Sequence, residues 1–321
     1  MISKLMLVSI SFDSADNIVK LFVTGVCGQL GFDVVNEALT RGYNVIGSDI
    51  LPESKLVGAE YVQLDITDAV AVKAVIEEIH PEVIIHCAAW TAVDTAEAPE
   101  NKEKVHRINV DGTRNLAEAA KAVDSKMVYI STDYVFDGQG TRPWEPDDKS
   151  FAPLNVYGKS KLDGELAVLK LLTKFFIVRI AWVFGKNGKN FIKTMLRVGK
   201  NREFVTVVDD QIGTPTYTYD LARLLVDMVE TEKYGFYHAT NSEIDGQFIS
   251  WADFTQWIYE VAGYSTEVKR VSTAEYGASV AARPFNSRLD KQKLVEAGFS
   301  PLPTWKDAVE RYVKEFDLEE L

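Results

Sequence analysis

The first apolar run of the chain, residues 19–24 (Val-Lys-Leu-Phe-Val-Thr), is β-rich and stops at a glycine, which predicts a buried strand. Behind it Leu30, Val34, Ala38 and Leu39 share one face of a helix, and Gly42 closes that helix. The two periods then repeat. Apolar runs at 44–48, 61–64, 83–87, 127–131 and 175–180 predict strands, and helical spacing covers 70–79, 104–123 and 157–172. Strands that are apolar throughout, rather than on alternate residues, are covered on both faces. Their alternation with helices predicts an α/β fold, a doubly wound parallel sheet whose ligand crevice lies at the C-terminal strand ends.

Past about residue 185 the pattern loosens. Short strands at 204–208, 235–238 and 267–271, with helices at 219–229, 251–262 and 304–316, predict a smaller C-terminal α/β lobe. Trp251, Phe254, Trp257 and Ile258 have helical spacing and are expected in the core of that lobe. The Pro- and Gly-bearing stretch 137–154 is expected to be a surface excursion. Residues 1–17 read as an N-terminal extension: their apolar part is short for a signal peptide, and Asp13 and Asp16 follow it.

Charge narrows the partners. Asp plus Glu number 47 and Lys plus Arg 35, a net charge of −12, so nucleic acid is a poor partner. An anionic small molecule would need a local cluster of donors. Cys27 and Cys87 have no CxxC partner, and His80, His86, His106 and His238 lack metal-ligand spacing. No metal site is expected, and the unpaired cysteines point to a reducing compartment, the cytoplasm. No apolar run approaches the roughly 20 residues that span a bilayer, so no membrane association is expected.

Chemistry enters at Thr24-Gly-Val-Cys-Gly-Gln-Leu-Gly31, where glycines at 25, 28 and 31 sit between a strand and a helix. Such a turn brings backbone close to a pyrophosphate and aims a helix N-terminus at it. Asp49 ends the next strand, close to the ~20-residue spacing of a ribose-binding acid. A dinucleotide is therefore expected, and a carboxylate at Asp49 favours NADH over NADPH by repelling a 2′-phosphate. Asp65 is either an adenine-end contact or a helix cap.

Tyr157 and Lys161 are four residues apart on a helix and so share a face. A phenol has a pKa of ~10, and a cation beside it favours phenolate, which makes a tuned proton donor. Thr132 and Asp133 end the fifth strand, where this fold places ligands, and a hydroxyl there can hold a carbonyl oxygen. Cys87 and His86 are read as packing residues. Gln211 and Thr214–Thr216 form either a substrate-side loop or a plain turn.

The turn and the Tyr-x-x-x-Lys pair together resemble the extended short-chain dehydrogenase/reductase superfamily, whose fold is Rossmann-like. A narrower resemblance, to the dTDP-4-dehydrorhamnose reductase family, rests on Ala88-Ala-Trp-Thr-Ala-Val-Asp94, Ser131-Thr-Asp-Tyr-Val-Phe-Asp-Gly138 and Pro153-Leu-Asn-Val-Tyr-Gly-Lys-Ser-Lys161. Trp182-Val-Phe-Gly185, Val208-Asp-Asp-Gln-Ile-Gly-Thr-Pro-Thr216 and Arg283-Pro-Phe-Asn-Ser-Arg-Leu-Asp290 extend it nearly to the C-terminus. The resemblance implies reduction of the C4 ketone of a dTDP-sugar by NADH or NADPH, with Thr132, Tyr157 and Lys161 as the catalytic set. It implies cofactor contacts at Gly25, Gly28, Gln29, Leu30, Gly31, Asp49, Asp65, Ile66, Ala88 and Ala89, besides Tyr157 and Lys161. Substrate contacts would be Thr91, Val93, Thr132, Asp133, Trp182, Gln211, Arg283 and Asn286, with Arg283 as a cation for the diphosphate. Asn109 would support the site. The expected division is 18–187 for the dinucleotide and 188–321 mainly for substrate, with some segments returning to the first.

Two positions depart from the family pattern: Trp90 stands where Tyr is common, and Ala181 where Ser or Thr is common. Two other readings of the same residues are a non-catalytic subunit similar to the methionine adenosyltransferase beta subunit, and a nucleotide-sugar epimerase or a reductase of another sugar. A homodimer is compatible with the resemblance, and the sequence fixes neither it nor a magnesium requirement.

Overall fold

The computed structural model describes residues 19–277 and 279–316. The extension expected over 1–17 lies outside the described residues. Six strands follow in chain order: β1 (Lys20–Thr24), β2 (Asn44–Asp49), β3 (Glu60–Gln63), β4 (Val83–His86), β5 (Lys126–Thr132) and β6 (Phe175–Ile180). A seventh, Gly235–His238, completes one sheet in the order Gly235–His238, β6, β5, β4, β1, β2, β3, with every pairing parallel. The direction of strand succession reverses at β1, which lies between β2 and β4. The crevice at that reversal is where a doubly wound sheet takes its ligand.

Helices cover both faces, which is why the strands read as unbroken apolar runs. Leu21 and Val23 enter one layer with Val34, Val35 and Ala38 of α1 (Gln29–Thr40) and with Leu221 and Leu225 of the helix Thr218–Val229. Phe22 and Ile84 enter the other, with Val72 and Ile76 of α2 (Ala69–Ile79) and with Leu116 and Ala120. Truncating a buried leucine or isoleucine here, such as Leu21, Ile76 or Leu225, to Ala would cost roughly 2–5 kcal/mol.

Three local features sharpen the sequence expectation. The strand Gly235–His238, grouped by pattern with the smaller lobe, pairs with β6 in the main sheet. The long helical stretch over 104–123 starts earlier, at Pro99, and carries a π-helical turn, Arg107–Gly112, before Thr113–Ala122. Stretch 137–154 runs largely over the surface, as expected, but is pinned at Gly138, Trp144 and Pro146, which are buried. Trp144 is buried and stacks on Phe136 at 4.6 Å, and Phe151 lies on the other side of that pair's cluster. The anchor is Arg179, whose guanidinium sits 5.0 Å from the Phe136 ring and donates to the Pro146 carbonyl.

The smaller lobe has its own core of Ile192, Leu196, Val205, Phe254, Ile258, Trp305 and Tyr312. Phe204–Val208 pairs in parallel with Glu267–Val271, and a three-stranded patch joins Ile249–Ser250, Ile212–Gly213 and Asn286–Ser287. Among the described residues no helix is long and apolar enough to cross a membrane.

Candidate active site

A cleft of about 610 Å³ opens over the C-terminal ends of β1, β4, β5 and β6. Its size suits a small-molecule or cofactor site. The glycine turn forms one end. Gly25 has φ +71°, and a Cβ there would lie 2.6 Å from the Ala88 nitrogen, so only glycine lets β1 turn against β4. Gly28 is the N-cap of α1 and offers no side-chain cap, leaving the first-turn N–H groups of Gln29 and Leu30 to an anion. Gly31 does not line the cleft: it seats α1 on the Gly25 carbonyl, the packing role of the third glycine.

Asp49 lines the same end. Its Oδ2 accepts the Cys27 N–H at 3.0 Å and its Oδ1 the Leu51 N–H at 3.3 Å, which fixes the carboxylate beside the turn. Asp65 also lines the cleft. It is not the cap of α2, a role taken by Asp68, whose carboxylate accepts from Val70 and Ala71; Asp65 instead accepts the Thr67 N–H at 2.9 Å. Ile66, Ala88, Ala89, Thr91 and Val93 complete this wall. Ser48 Oγ and Ser131 Oγ are buried, belong to the lining, and find no hydrogen-bond partner among the described residues. Buried orphan hydroxyls facing a cleft fit a polar ligand, because a permanently unpaired one is costly.

The catalytic candidates stand midway along the cleft. The helix Val156–Leu171 is capped by Asn155, whose side chain accepts the Gly158 N–H at 2.7 Å. Gly164 lets this helix lie directly on the sheet, since a Cβ there would strike the Tyr129 hydroxyl and lie 2.8 Å from the Asn109 carbonyl. One face of the helix thereby delivers Tyr157 and Lys161 into the cleft next to Thr132 and Asp133. Buried Asn109, in the π-helical turn, donates to Ser160 Oγ and the Trp90 carbonyl and accepts the Trp90 N–H, bracing that helix against the adjoining loop. Thr132 donates to Asp133 Oδ1 at 2.9 Å, and Ser287 donates to the other carboxylate oxygen.

The electrostatics differ from the expected lysine-on-tyrosine effect. Burial pushes the Tyr157 phenol above its ordinary value; Asp133 adds to this and the Thr132 hydroxyl opposes it. Lys161 is not among the groups that shift the phenol. Its ammonium sits 4.1 Å from the centre of the Tyr129 ring, and burial pulls it down to about 7. Asp133 is raised to about 6, again by burial, against the two hydroxyl bonds. The protein alone therefore holds a reluctant phenol and a cation near its titration point. His86 is buried between the Thr24 and Thr113 hydroxyls and lowered to about 3 by burial, so it stays neutral. Cys87 is raised to about 12 and stays a thiol.

The far end of the cleft is aromatic. Trp182 has a left-handed backbone, φ +51°, and stacks on Trp251 with ring centroids 3.9 Å apart. Trp251 was expected in the lobe core with Phe254; it packs against that core but also lines the cleft. Ala181 lines the cleft and Trp90 does not.

Three expected substrate contacts are engaged elsewhere. Arg283 forms a two-bonded ion pair with Asp94, at 3.1 and 2.7 Å, so its guanidinium serves the chain and does not line the cleft. Buried Asn286 donates to the Gln139 and Arg142 carbonyls and holds that loop down. Gln211 is buried and donates to Thr273 Oγ1 at 3.0 Å. Besides Trp251, residues that the sequence reading did not single out also line the cleft, among them Ser48, Tyr134 and Lys189. Only Lys189 carried a visible signal, as a cation in the polar loop Gly185-Lys-Asn-Gly-Lys-Asn190.

A glycine turn at the sheet's reversal point, an acid at the end of β2 and a Tyr–Lys helix beside β5 define a short-chain dehydrogenase/reductase of the extended kind. Residues 19–318 match the model of the RmlD substrate binding domain family, and the chain belongs to that family. The dTDP-4-dehydrorhamnose reductase of Aggregatibacter actinomycetemcomitans is 40% identical over 304 residues, covering 90% of this chain and 97% of its own. The dTDP-4-keto-6-deoxy-D-glucose reductase of Streptomyces niveus is 38% identical over 291 residues, with 90% and 95% covered. A crystal structure of dTDP-4-dehydrorhamnose reductase from Bacillus anthracis in complex with NADP superposes with a TM-score of 0.83 at 40% identity, covering 93% of this chain and 99% of that one.

Proposed function

We propose that this protein reduces the C4 ketone of dTDP-4-dehydro-β-L-rhamnose to dTDP-L-rhamnose, using NADH or NADPH. The observation that carries this reading is the convergence of Thr132, Tyr157 and Lys161 between a dinucleotide turn at one end of the cleft and the Trp182–Trp251 wall at the other. When bound, the reduced dinucleotide supplies the hydride. With substrate bound, Thr132 turns its hydroxyl from Asp133 to the carbonyl oxygen, beside Tyr157, and Tyr157 gives that oxygen a proton. A high phenol pKa opposes release of that proton, so an ammonium at Lys161 is required to stabilise the phenolate left behind. Lys161 would hold the nicotinamide ribose, and the orphan hydroxyls of Ser48 and Ser131 would gain partners. Trp182 covers the sugar.

Residues 18–187 hold the dinucleotide in this reading, and the later residues supply most of the substrate side. Asp49 faces the adenine ribose and favours NADH, because its carboxylate accepts a 2′-OH and repels a 2′-phosphate. The two unpaired cysteines suit a cytoplasmic site of action.

The decisive test follows NADH absorbance with dTDP-4-dehydrorhamnose. Wild type is expected to consume the cofactor. Tyr157→Phe is expected to lose about 10²- to 10⁴-fold in kcat while binding NADH as before. A wild type that leaves NADH and NADPH untouched with this sugar overturns the reading. Turnover only with the 4-keto-6-deoxy-D-glucose nucleotide moves it to a reductase of another sugar.

A further inference from the structure

Both ligands of the proposed reaction carry diphosphates, yet the glycine turn contains no cation and the charged residues lining the cleft are Asp49, Asp65, Asp133, Lys161 and Lys189. Lys161 stands at the Tyr129 ring and Arg283 is held by Asp94. Lys189 is left. It rides on the strap 185–190, which joins the strand Val183–Phe184 to the helix Phe191–Gly199.

The strap is docked on the glycine turn. Asn187 Nδ2 donates to the Cys27 carbonyl at 2.8 Å and to the Gly28 carbonyl at 3.3 Å, and Asn190 Nδ2 reaches Gln29 Oε1 at 3.1 Å. It is also braced from behind. Lys193 Nζ donates to the Lys186 and Gly188 carbonyls at 2.6 and 2.8 Å, and the Tyr312 hydroxyl donates to the Gly185 carbonyl at 2.6 Å. Lys186 spends its charge on Glu315. Lys189 has an exposed head with no ion pair among the described residues, on a backbone fixed beside the free N–H groups of α1.

We infer that Lys189, presented by a strap docked on Cys27–Gln29, binds the diphosphate of the bound dinucleotide. The inference rests on the reductase reading. It adds a charged contact from outside the turn, opposite the helix N-terminus, and makes the strap part of the cofactor site. A diphosphate also joins the nucleoside to the sugar of the substrate; the docking on the glycine turn assigns Lys189 to the dinucleotide.

The test uses the full chain, with NADH titrated by fluorescence and thymidine diphosphate by calorimetry. Lys189→Met is expected to raise the Kd for NADH about 5- to 20-fold, and to flatten its dependence on salt, as loss of one charge-assisted phosphate contact should. Lys189→Arg is expected to restore both, and the Kd for thymidine diphosphate to stay as in wild type. Asn187→Ala, which undocks the strap, should weaken NADH in the same direction, and the double variant should lose less than the product of the two. Unchanged NADH binding by Lys189→Met overturns the inference, and so does a loss confined to thymidine diphosphate. If wild type binds neither NADH nor NADPH, the reductase reading itself fails, a result that the wild-type titration alone identifies.

Discussion

Two buried cations serve the same helix in opposite ways. Arg179 on β6 is 1% exposed and Lys161 on the helix Val156–Leu171 is 4% exposed. The guanidinium is paired: it makes two 2.8 Å bonds to Glu165 and one to the Pro146 carbonyl, with the rings of Phe136, Phe151 and Phe236 around it. The ammonium makes no hydrogen bond among the described residues and rests on one aromatic face. Charge buried in low dielectric persists only when compensated. Arg179 is compensated by the protein, so it is structural. Lys161 has no hydrogen-bonded partner among the described residues, only the Coulombic pull of Glu165 and Cys87, and burial holds its pKa down.

That contrast can be broken most severely at the buried ion pair. Arg179→Leu strands the Glu165 carboxylate and is expected to cost about 3–5 kcal/mol in urea unfolding, as removal of one partner of a buried ion pair does. Arg179→Leu with Glu165→Leu should recover much of it. If the single variant unfolds like wild type, the division between the two cations is wrong. Lys161→Met should behave in the opposite way, with stability unchanged or higher and kcat down about 10²- to 10⁴-fold in the NADH assay. A loss of stability like that of Arg179→Leu would make Lys161 structural as well.

Asp49→Ala probes the site with a smaller effect. It should weaken NADH about 10-fold, as expected for loss of a charged acceptor, and NADPH less. An unchanged ratio of the two dissociation constants removes the NADH preference. The smallest effect is a proton. With its pKa near 7, Lys161 is mostly neutral at pH 8 in the free protein. An anionic dinucleotide favours the ammonium and raises that pKa, so binding at pH 8 should take up as much as about one proton per site. At pH 6, where Lys161 is already charged, its share of the uptake should vanish and Asp133 accounts for what remains. Calorimetry in buffers of different ionisation enthalpy reads it, and Lys161→Met should remove the uptake at pH 8.

The glycine-turn end of the cleft and its Tyr–Lys helix were legible in the sequence because backbone geometry there dictates residue type. Gly25 must adopt positive φ against Ala88, Asp49 must end the strand beside the turn, and Tyr157 and Lys161 must share a helical face. Each constraint leaves a local spacing. The other candidates leave none. Arg283 could have met a diphosphate or a carboxylate, and it meets Asp94, 189 positions away. Trp251 shows the same blindness, since helical spacing marks a residue as facing inward but not whether a lobe core or a cleft awaits it. The electrostatic balance was not legible for a related reason: a shared helical face puts Tyr157 and Lys161 in one cleft, but burial sets the phenol and the ammonium rests on the Tyr129 ring.

The strand Gly235–His238 carries a last consequence. It caps the β6 side of the main sheet, although it is contributed from well past residue 187. A fragment cut at that boundary would keep the glycine turn, Asp49, Tyr157 and Lys161. It would also bare a row of unpaired N–H and C=O groups along Phe176–Arg179, an adhesive margin that seeks another strand. Residues 18–187 are therefore not a detachable module: a strand from beyond them hems their sheet, and the two stretches have to be made as one piece.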